Sequence, residues 1–296
     1  MKSVASKLQV GVVGLGVVGM AVYNGFSPHM EVIGYDKYKS DIPEEVGLRK
    51  LEGCSVIFVC VPSPTTDGEQ RLAELHKVLE VLDEREYEGV VAVKCTLLPG
   101  TMRMMSQGYK YLKLVHNPEF LNAKTADDDF RKQEACLLGG DHEHCAIVRK
   151  VYREMNNQID FFLERYEHTE MAKYMCNVFG AVKVSLMNEI EQACKNVGAE
   201  YKSVRLLAVN SVPWLDREHT LVPGPDGEHG FGGMCLPKDI EAFSSFLTDN
   251  HSLNNVVRSA IATNAVVRSS KHVVREKDGN AKETTEGFKA TSKEVS

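Results

Sequence analysis

One thiol in this chain stands where several features favour reaction. The stretch Gly230-Phe231-Gly232-Gly233-Met234-Cys235-Leu236-Pro237-Lys238-Asp239 puts Cys235 behind a glycine loop, at the predicted start of a helix. Pro237 suits the first helical turn, where its missing N–H costs nothing. Unpaired N–H groups and the positive end of the helix dipole favour a thiolate at that point. Lys238 adds a cation, and Asp239 lies about one turn from the sulfur. A nucleophile with a carboxylate beside it suits covalent catalysis. A buried cysteine after an ordinary turn is the alternative that the local pattern leaves open. Lys173 and Asn177 are four apart on a predicted helix and share a face, either aimed at one ligand or solvated.

A second constellation carries binding rather than bond-making. Leu8 to Val13 reads as a buried strand, followed by Gly14-Leu15-Gly16-Val17-Val18-Gly19, a helix from Met20 to Phe26 and a strand from Glu31 to Tyr35 ending at Asp36. In a GxGxxG turn the first glycine allows the tight bend and the second lets backbone approach a pyrophosphate. The third lets helix pack on strand, with phosphate at the helix N-terminus. Asp36 falls at the offset where an acid accepts hydrogen bonds from an adenosine ribose and repels a 2′-phosphate. The prediction is a dinucleotide site with NAD preferred over NADP, although Lys37 and Lys39 add positive charge nearby.

The elements that must position these residues follow a βαβ rhythm. Ser55–Val61 and Val90–Lys94 are near-continuous apolar runs, as in strands buried on both faces, with helical material at Leu72–Leu82 between them. Leu112–His116, Ala135–Gly139 and Ile159–Leu163 read as further strands. The expected fold is α/β: an N-terminal Rossmann-type doubly wound parallel sheet followed by an all-helical domain. Pro62–Thr66, Thr96–Thr101 and Asn117–Leu121 then fall in loops at strand carboxyl ends, where ligands bind. From Thr169 to Val197, apolar residues at helical spacing (Met171, Met175, Val178, Val182, Leu186, Ile190, Ala193) predict one buried stripe. Another helical run spans Leu253–Val274. The expected division is 1–165 for the dinucleotide domain, 166–275 for the helical domain with the Cys235 loop, and 276–296 for a disordered polar tail.

Composition excludes other classes. The net charge of −6 comes without basic runs, so nucleic acid is not an expected partner. The cysteines form no CxxC pair, which points to a reducing, cytoplasmic setting. Lys2 and Lys7 before the apolar run to Val22 imitate a signal peptide, but the glycines explain that run better, and it is too short to span a membrane. His142-Glu143-His144-Cys145 gathers metal-ligand types, yet neighbours point apart and no second cluster completes a site; a surface turn is expected and no metal.

These motifs together resemble the UDP-glucose/GDP-mannose dehydrogenase family. The resemblance runs from the GxGxxG through Asn117-Pro118-Glu119-Phe120-Leu121, Glu170-Met171-Ala172-Lys173-Tyr174-Met175-Cys176-Asn177 and Asn188-Glu189-Ile190 to the Cys235 loop. It implies two-stage oxidation of a nucleotide-sugar C6 alcohol to the acid, using two NAD and a thiohemiacetal and thioester on Cys235. By the same resemblance, Lys173 and Asn177 stabilise the oxyanion, Asp239 handles a proton, and Thr96 and Glu119 hold the water. Gly14, Gly16, Val18, Gly19, Asp36, Thr65, Thr96 and Lys238 are implied at NAD. Glu119, Phe120, Leu121, Lys173, Asn177, Arg217, Gly230 and Gly232 are implied at the sugar substrate, in a homodimer whose Arg217 reaches the neighbouring subunit. The pattern departs in two places. Asn122-Ala123-Lys124 replaces the family's Arg-Glu-Gly, and no domain-sized segment follows Val274 where the family places a nucleotide-holding domain. A simple one-step dehydrogenase and a non-catalytic NAD-binding module are the other readings.

Overall fold

The computed structural model describes residues 8–269. The expected tail at 276–296 lies outside them, as do Lys2, Lys7 and the end of the Leu253–Val274 run. Among the described residues no helix is long and apolar enough to cross a membrane.

Apolar, β-branched runs make the central sheet. In chain order the elements begin β1 (Gln9–Val13), α1 (Val17–Phe26), β2 (Glu31–Tyr35), α2 (Glu44–Arg49), β3 (Val56–Val59), the short β4 (Thr65–Thr66) and β5 (Glu69–Gln70), and α3 (Ala73–Glu84). They continue with β6 (Val90–Val93), α4 (Thr101–Gly108), β7 (Lys113–His116), α5 (Ala126–Lys132), β8 (Ala135–Gly140), α6 (His142–Met155) and β9 (Asp160–Glu164). The seven-stranded sheet has the order β2-β1-β3-β6-β7-β8-β9. Its first five strands are mutually parallel; β8 is antiparallel to β7, and β9 is parallel to β8. The order reverses between β1 and β3, which opens a crevice at their carboxyl ends.

Alternation along each strand sends side chains to two cores. Val10, Val12, Phe58, Ala92 and Val115 pack with Phe26, Phe130 and Tyr152 from α1, α5 and α6. Ile57, Val59, Val91, Val93 and Leu114 pack with Leu75, Leu79, Leu82, Met102 and Met105 from α3 and α4. Phe26 meets Phe130 edge-on at 5.3 Å, a favoured aromatic geometry. Phe58 is wholly buried, and truncating it to Ala would cost about 3–5 kcal/mol in lost burial and cavity.

The helices that follow are α7 (Tyr166–Asn196), α8 (Tyr201–Ser211), α9 (Leu236–Asp249) and α10 (Asn255–Ser269). The described residues form two compact units, one of 8–183 and 232–259, the other of 184–231 and 260–269. The first contains the sheet, the start of α7 and all of α9. In the second, Met187, Cys194 and Tyr201 make a small core, and the Tyr201 hydroxyl donates to Thr220 O at 2.7 Å.

Two local expectations need correcting. The predicted buried stripe of α7 is largely open: Met171, Met175 and Leu186 are 40%, 71% and 49% exposed, although Val178 is buried. The helix instead buries the face of Lys173, Tyr174, Val178 and Ala181. Helical spacing reveals a stripe but not which neighbour covers it. His142–Cys145 is the first turn of α6 rather than a surface turn, with Asp141 Oδ1 accepting from Glu143 N at 2.8 Å as N-cap. Cys145 faces the core. Among the described residues no group of His, Cys, Asp and Glu is placed to hold a metal.

Candidate active site

The Gly14–Gly19 turn owes its shape to close approaches. Gly14 has φ +84°, and a Cβ there would lie 2.9 Å from Cys60 O; one on Gly19 would lie 1.8 Å from Gly14 O. Gly16 differs, because a Cβ there would meet nothing within 4 Å, leaving open space where backbone can approach a ligand. Gly16 is also the N-cap of α1 and supplies no side-chain cap, and Val18 lies in that first turn. Asp36 stands at the end of β2, its Oδ2 accepting from Leu15 N at 2.7 Å and its Oδ1 from Tyr38 N at 2.9 Å. Each oxygen retains a further acceptor position for a ribose hydroxyl. Thr65 Oγ1 is buried without a hydrogen-bond partner. Open backbone, an uncapped helix start and an orphaned hydroxyl fit a dinucleotide.

The reactive cluster comes from three segments of the first unit. The Asn117–Leu121 loop leaves β7, with Asn117 Nδ2 donating to Leu137 O at 3.0 Å. Glu119 Oε2 accepts from Leu121 N at 2.6 Å, which turns the loop back on itself. Lys173, on the buried face of α7, donates to Glu119 O at 2.5 Å and stands 3.4 Å from Glu119 Oε1. Its Nζ lies 5.0 Å from the Phe120 ring centre. One turn along α7, Asn177 Nδ2 donates to Asp239 Oδ2 at 2.6 Å. Asp239 is wholly buried, and its Oδ1 accepts from Lys238 Nζ at 2.5 Å. Lys238 is thus tied to Asp239, while its charge also reaches the Cys95 thiol.

Cys235 is the N-cap of α9, and its carbonyl accepts from Asp239 N at 3.0 Å. The expectation of a thiolate favoured by the helix start is not met. Although the residue is exposed as a whole, burial of the thiol pushes its pKa up, and the Glu119 and Asp239 carboxylates push the same way. Lys173 and Lys238 oppose them. Cys235 makes no side-chain cap bond, so the helix start does little to offset burial and two nearby anions.

Thr96 lies in the loop between β6 and α4 and is 7% exposed. Its carbonyl accepts from Ser63 Oγ at 3.0 Å and Gln70 Nε2 at 2.8 Å. Further along, Gly100 N and Met102 N each donate at 2.7 Å to the wholly buried Glu170 of α7. Burial raises the Glu170 carboxyl to about 7 against these two bonds, which favour its charged form. Glu170 therefore occupies the start of α4, which is closed to an external anion. His116 is held neutral, burial lowering its imidazole to about 3.

Gly232 belongs to the same unit as Cys235, whereas Gly230 and Arg217 belong to the other. There Arg217 donates to Asn210 Oδ1 at 2.9 Å, and Gly230 N to Asn188 Oδ1 at 3.1 Å. A cavity of about 430 Å³ adjoins Glu119, Phe120 and Leu121, with the buried Lys94 in its wall. Motif reading missed the placements of Gln70 and Lys94. Gln70 had one signal, a two-residue Asp67-Gly68 turn between short polar strands.

Residues 45–156 match the NAD binding domain of the UDP-glucose/GDP-mannose dehydrogenase family, and residues 167–266 match its central domain. The UDP-glucose 6-dehydrogenase of Rickettsia conorii is 27% identical over 226 residues, 73% of this chain and 50% of that protein. The GDP-mannose 6-dehydrogenase of Pseudomonas aeruginosa is 30% identical over 205 residues, 64% of this chain and 46% of that protein. The chain thus spans about half the length of the curated relatives it matches. A UDP-glucose dehydrogenase structure from Pyrobaculum islandicum shares the fold, with a TM-score of 0.75 and 24% identity, over 90% of this chain and 70% of that one.

Proposed function

Starting from the UDP-glucose/GDP-mannose dehydrogenase family, to which this chain belongs through an NAD-binding and a central domain, we propose that it oxidises the C6 alcohol of a nucleotide-linked sugar to the carboxylate. The reaction consumes one water and two NAD⁺ per sugar and releases two NADH and three protons. Bound NAD⁺ would accept a hydride at each oxidation stage, held by the Gly14–Gly19 turn, Val18, Asp36, Thr65 and Thr96. Cys235, as thiolate, adds to the C6 aldehyde and later carries the acyl group as a thioester. Lys173 stabilises the oxyanion by charge and Asn177 by its amide N–H. Asp239 accepts or returns the proton, and Glu119 with Thr96 orients the water that releases the acid. Phe120, Leu121 and Gly232 line the sugar side in this reading.

The observation that carries the reading is the convergence of Lys173, Asn177 and Asp239 by hydrogen bonds and charge about the Cys235 end of α9. The raised thiol pKa means that the reactive thiolate must be generated at the site, which assigns weight to Lys173 and Lys238. NADH yield measured with UDP-glucose, GDP-mannose and UDP-acetamido sugars tests it. Two NADH per sugar support the proposal, one leaves a simple alcohol dehydrogenase, and none leaves an NAD-binding module.

A further inference from the structure

The Asp67-Gly68 turn, with φ of 53° and 76°, is the kind that joins two strands without splaying them. It sets the β4–β5 register, in which Thr66 pairs with Glu69 and Thr65 with Gln70. Cross-strand partners project from the same face, so Gln70 stands beside Thr65, whose buried hydroxyl has no partner. The hairpin also abuts α9, where Gly68 leaves no room for a Cβ against Ser245 Oγ.

From this seat the Gln70 amide satisfies two segments. Nε2 donates to Thr96 O at 2.8 Å and lies 3.3 Å from the Tyr174 hydroxyl; Oε1 accepts from Leu98 N at 3.2 Å. Only one amide orientation fits, because Thr96 O needs a donor and Leu98 N an acceptor. Tyr174 follows Lys173 on α7 and stacks on Phe243 of α9 at 5.3 Å. Glu170, one turn before Tyr174, holds Gly100 N and Met102 N. The backbone from Thr96 to Met102 is therefore gripped by Gln70 from the hairpin and Glu170 from α7, with Ser63 Oγ sharing the Thr96 carbonyl.

We propose that Gln70 is a positioning residue: it holds the Thr96 backbone against α7, so that the Thr65 and Thr96 hydroxyls keep a fixed place beside the cofactor. This rests on the proposed reading of Thr65 and Thr96 as NAD contacts. Gln70 has no hydrogen bond to Cys235, Lys173, Asn177 or Asp239 and takes no part in bond-making.

Two variants test the proposal. Gln70→Met keeps length and packing but removes every bond, whereas Gln70→Glu keeps the acceptor for Leu98 N and sets a carboxylate against Thr96 O. For Gln70→Met, kcat should fall about tenfold with the sugar KM within about twofold, and the NAD⁺ Kd should rise about threefold. Gln70→Glu should be worse in both, with thermal unfolding followed alongside. A purely structural role would lower Tm and leave kcat and the NAD⁺ Kd within about twofold in Gln70→Met, and that result overturns the proposal. Should the wild-type protein turn over no nucleotide sugar, the proposed activity fails separately. NAD⁺ titration then decides the role of Gln70, an unchanged Kd in Gln70→Met rejecting it and a weaker one supporting it.

Discussion

Asp239 has no solvent exposure, and Asn177, 62 residues earlier in the chain, donates to its carboxylate at 2.6 Å. A buried carboxylate oxygen that loses such a donor bears its desolvation cost alone. Asn177→Ala should lower stability by about 2 kcal/mol, read as a drop in urea midpoint. A midpoint unchanged from wild type would show that the contact does not hold α7 to α9.

Cys235→Ser keeps shape but removes the thiol and its leaving ability. NAD⁺ binding should survive and net four-electron turnover should collapse, by about a hundredfold or more. Asp239→Asn should instead slow hydrolysis, so that intact-protein mass spectrometry after mixing with NAD⁺ and sugar finds an adduct on Cys235. Sugar acid formed at the normal rate by Cys235→Ser would reject the covalent route.

The Cys235 thiol is raised above its ordinary 9.0, so alkylation by iodoacetamide should be slow near neutrality and keep rising past pH 9. Lys173 opposes that rise, so Lys173→Met should shift the profile further upward. A profile unmoved by the loss of Lys173 would separate the lysine from the thiol.

Glu170 titrates at about 7 in the folded chain against an ordinary 4.5. The folded state thus holds this proton more tightly than the unfolded one. The stability it contributes is complete below pH 4.5 and is lost as pH rises to about 7, by as much as about 3 kcal/mol. Glu170→Gln has no titrating carboxyl and should remove this slope, although its amide can accept from only one of Gly100 N and Met102 N, so the variant loses one buried bond at every pH. Parallel urea curves for the two proteins from pH 4 to 8 would contradict it.

Asp36 should make the protein prefer NAD⁺, because a carboxylate repels a 2′-phosphate. Titration with both cofactors checks this, and Asp36→Ser should weaken NAD⁺ about tenfold while narrowing the preference. Equal or tighter binding of NADP⁺ by the wild type counts against the assignment.

Met171, Met175 and Phe179 lie four apart along α7 and are 40%, 71% and 64% exposed. We propose that this face meets its own copy in a two-fold homodimer. Light scattering at micromolar concentration should give a dimer, and Phe179→Glu a monomer; a monomeric wild type removes the claim.

The residue pattern alone determined what depends on near neighbours. Continuous Val-rich runs made β3 and β6, and the Gly14–Gly19 spacing made a turn that larger side chains would block. The Cys235 loop and the Lys173–Asn177 spacing placed the reactive groups on helices for the same reason. Tertiary structure decided the rest. Strand direction is not written in an apolar run, so only the assembled sheet shows β8 opposing β7. The helix start favoured a thiolate, yet burial, the Glu119 carboxylate from a distant segment and Asp239 one turn along raised its pKa, because solvation and charge act through space. Gln70 carried no motif of its own; its role arises only when a turn of fixed register brings its amide to Thr96, 26 residues away.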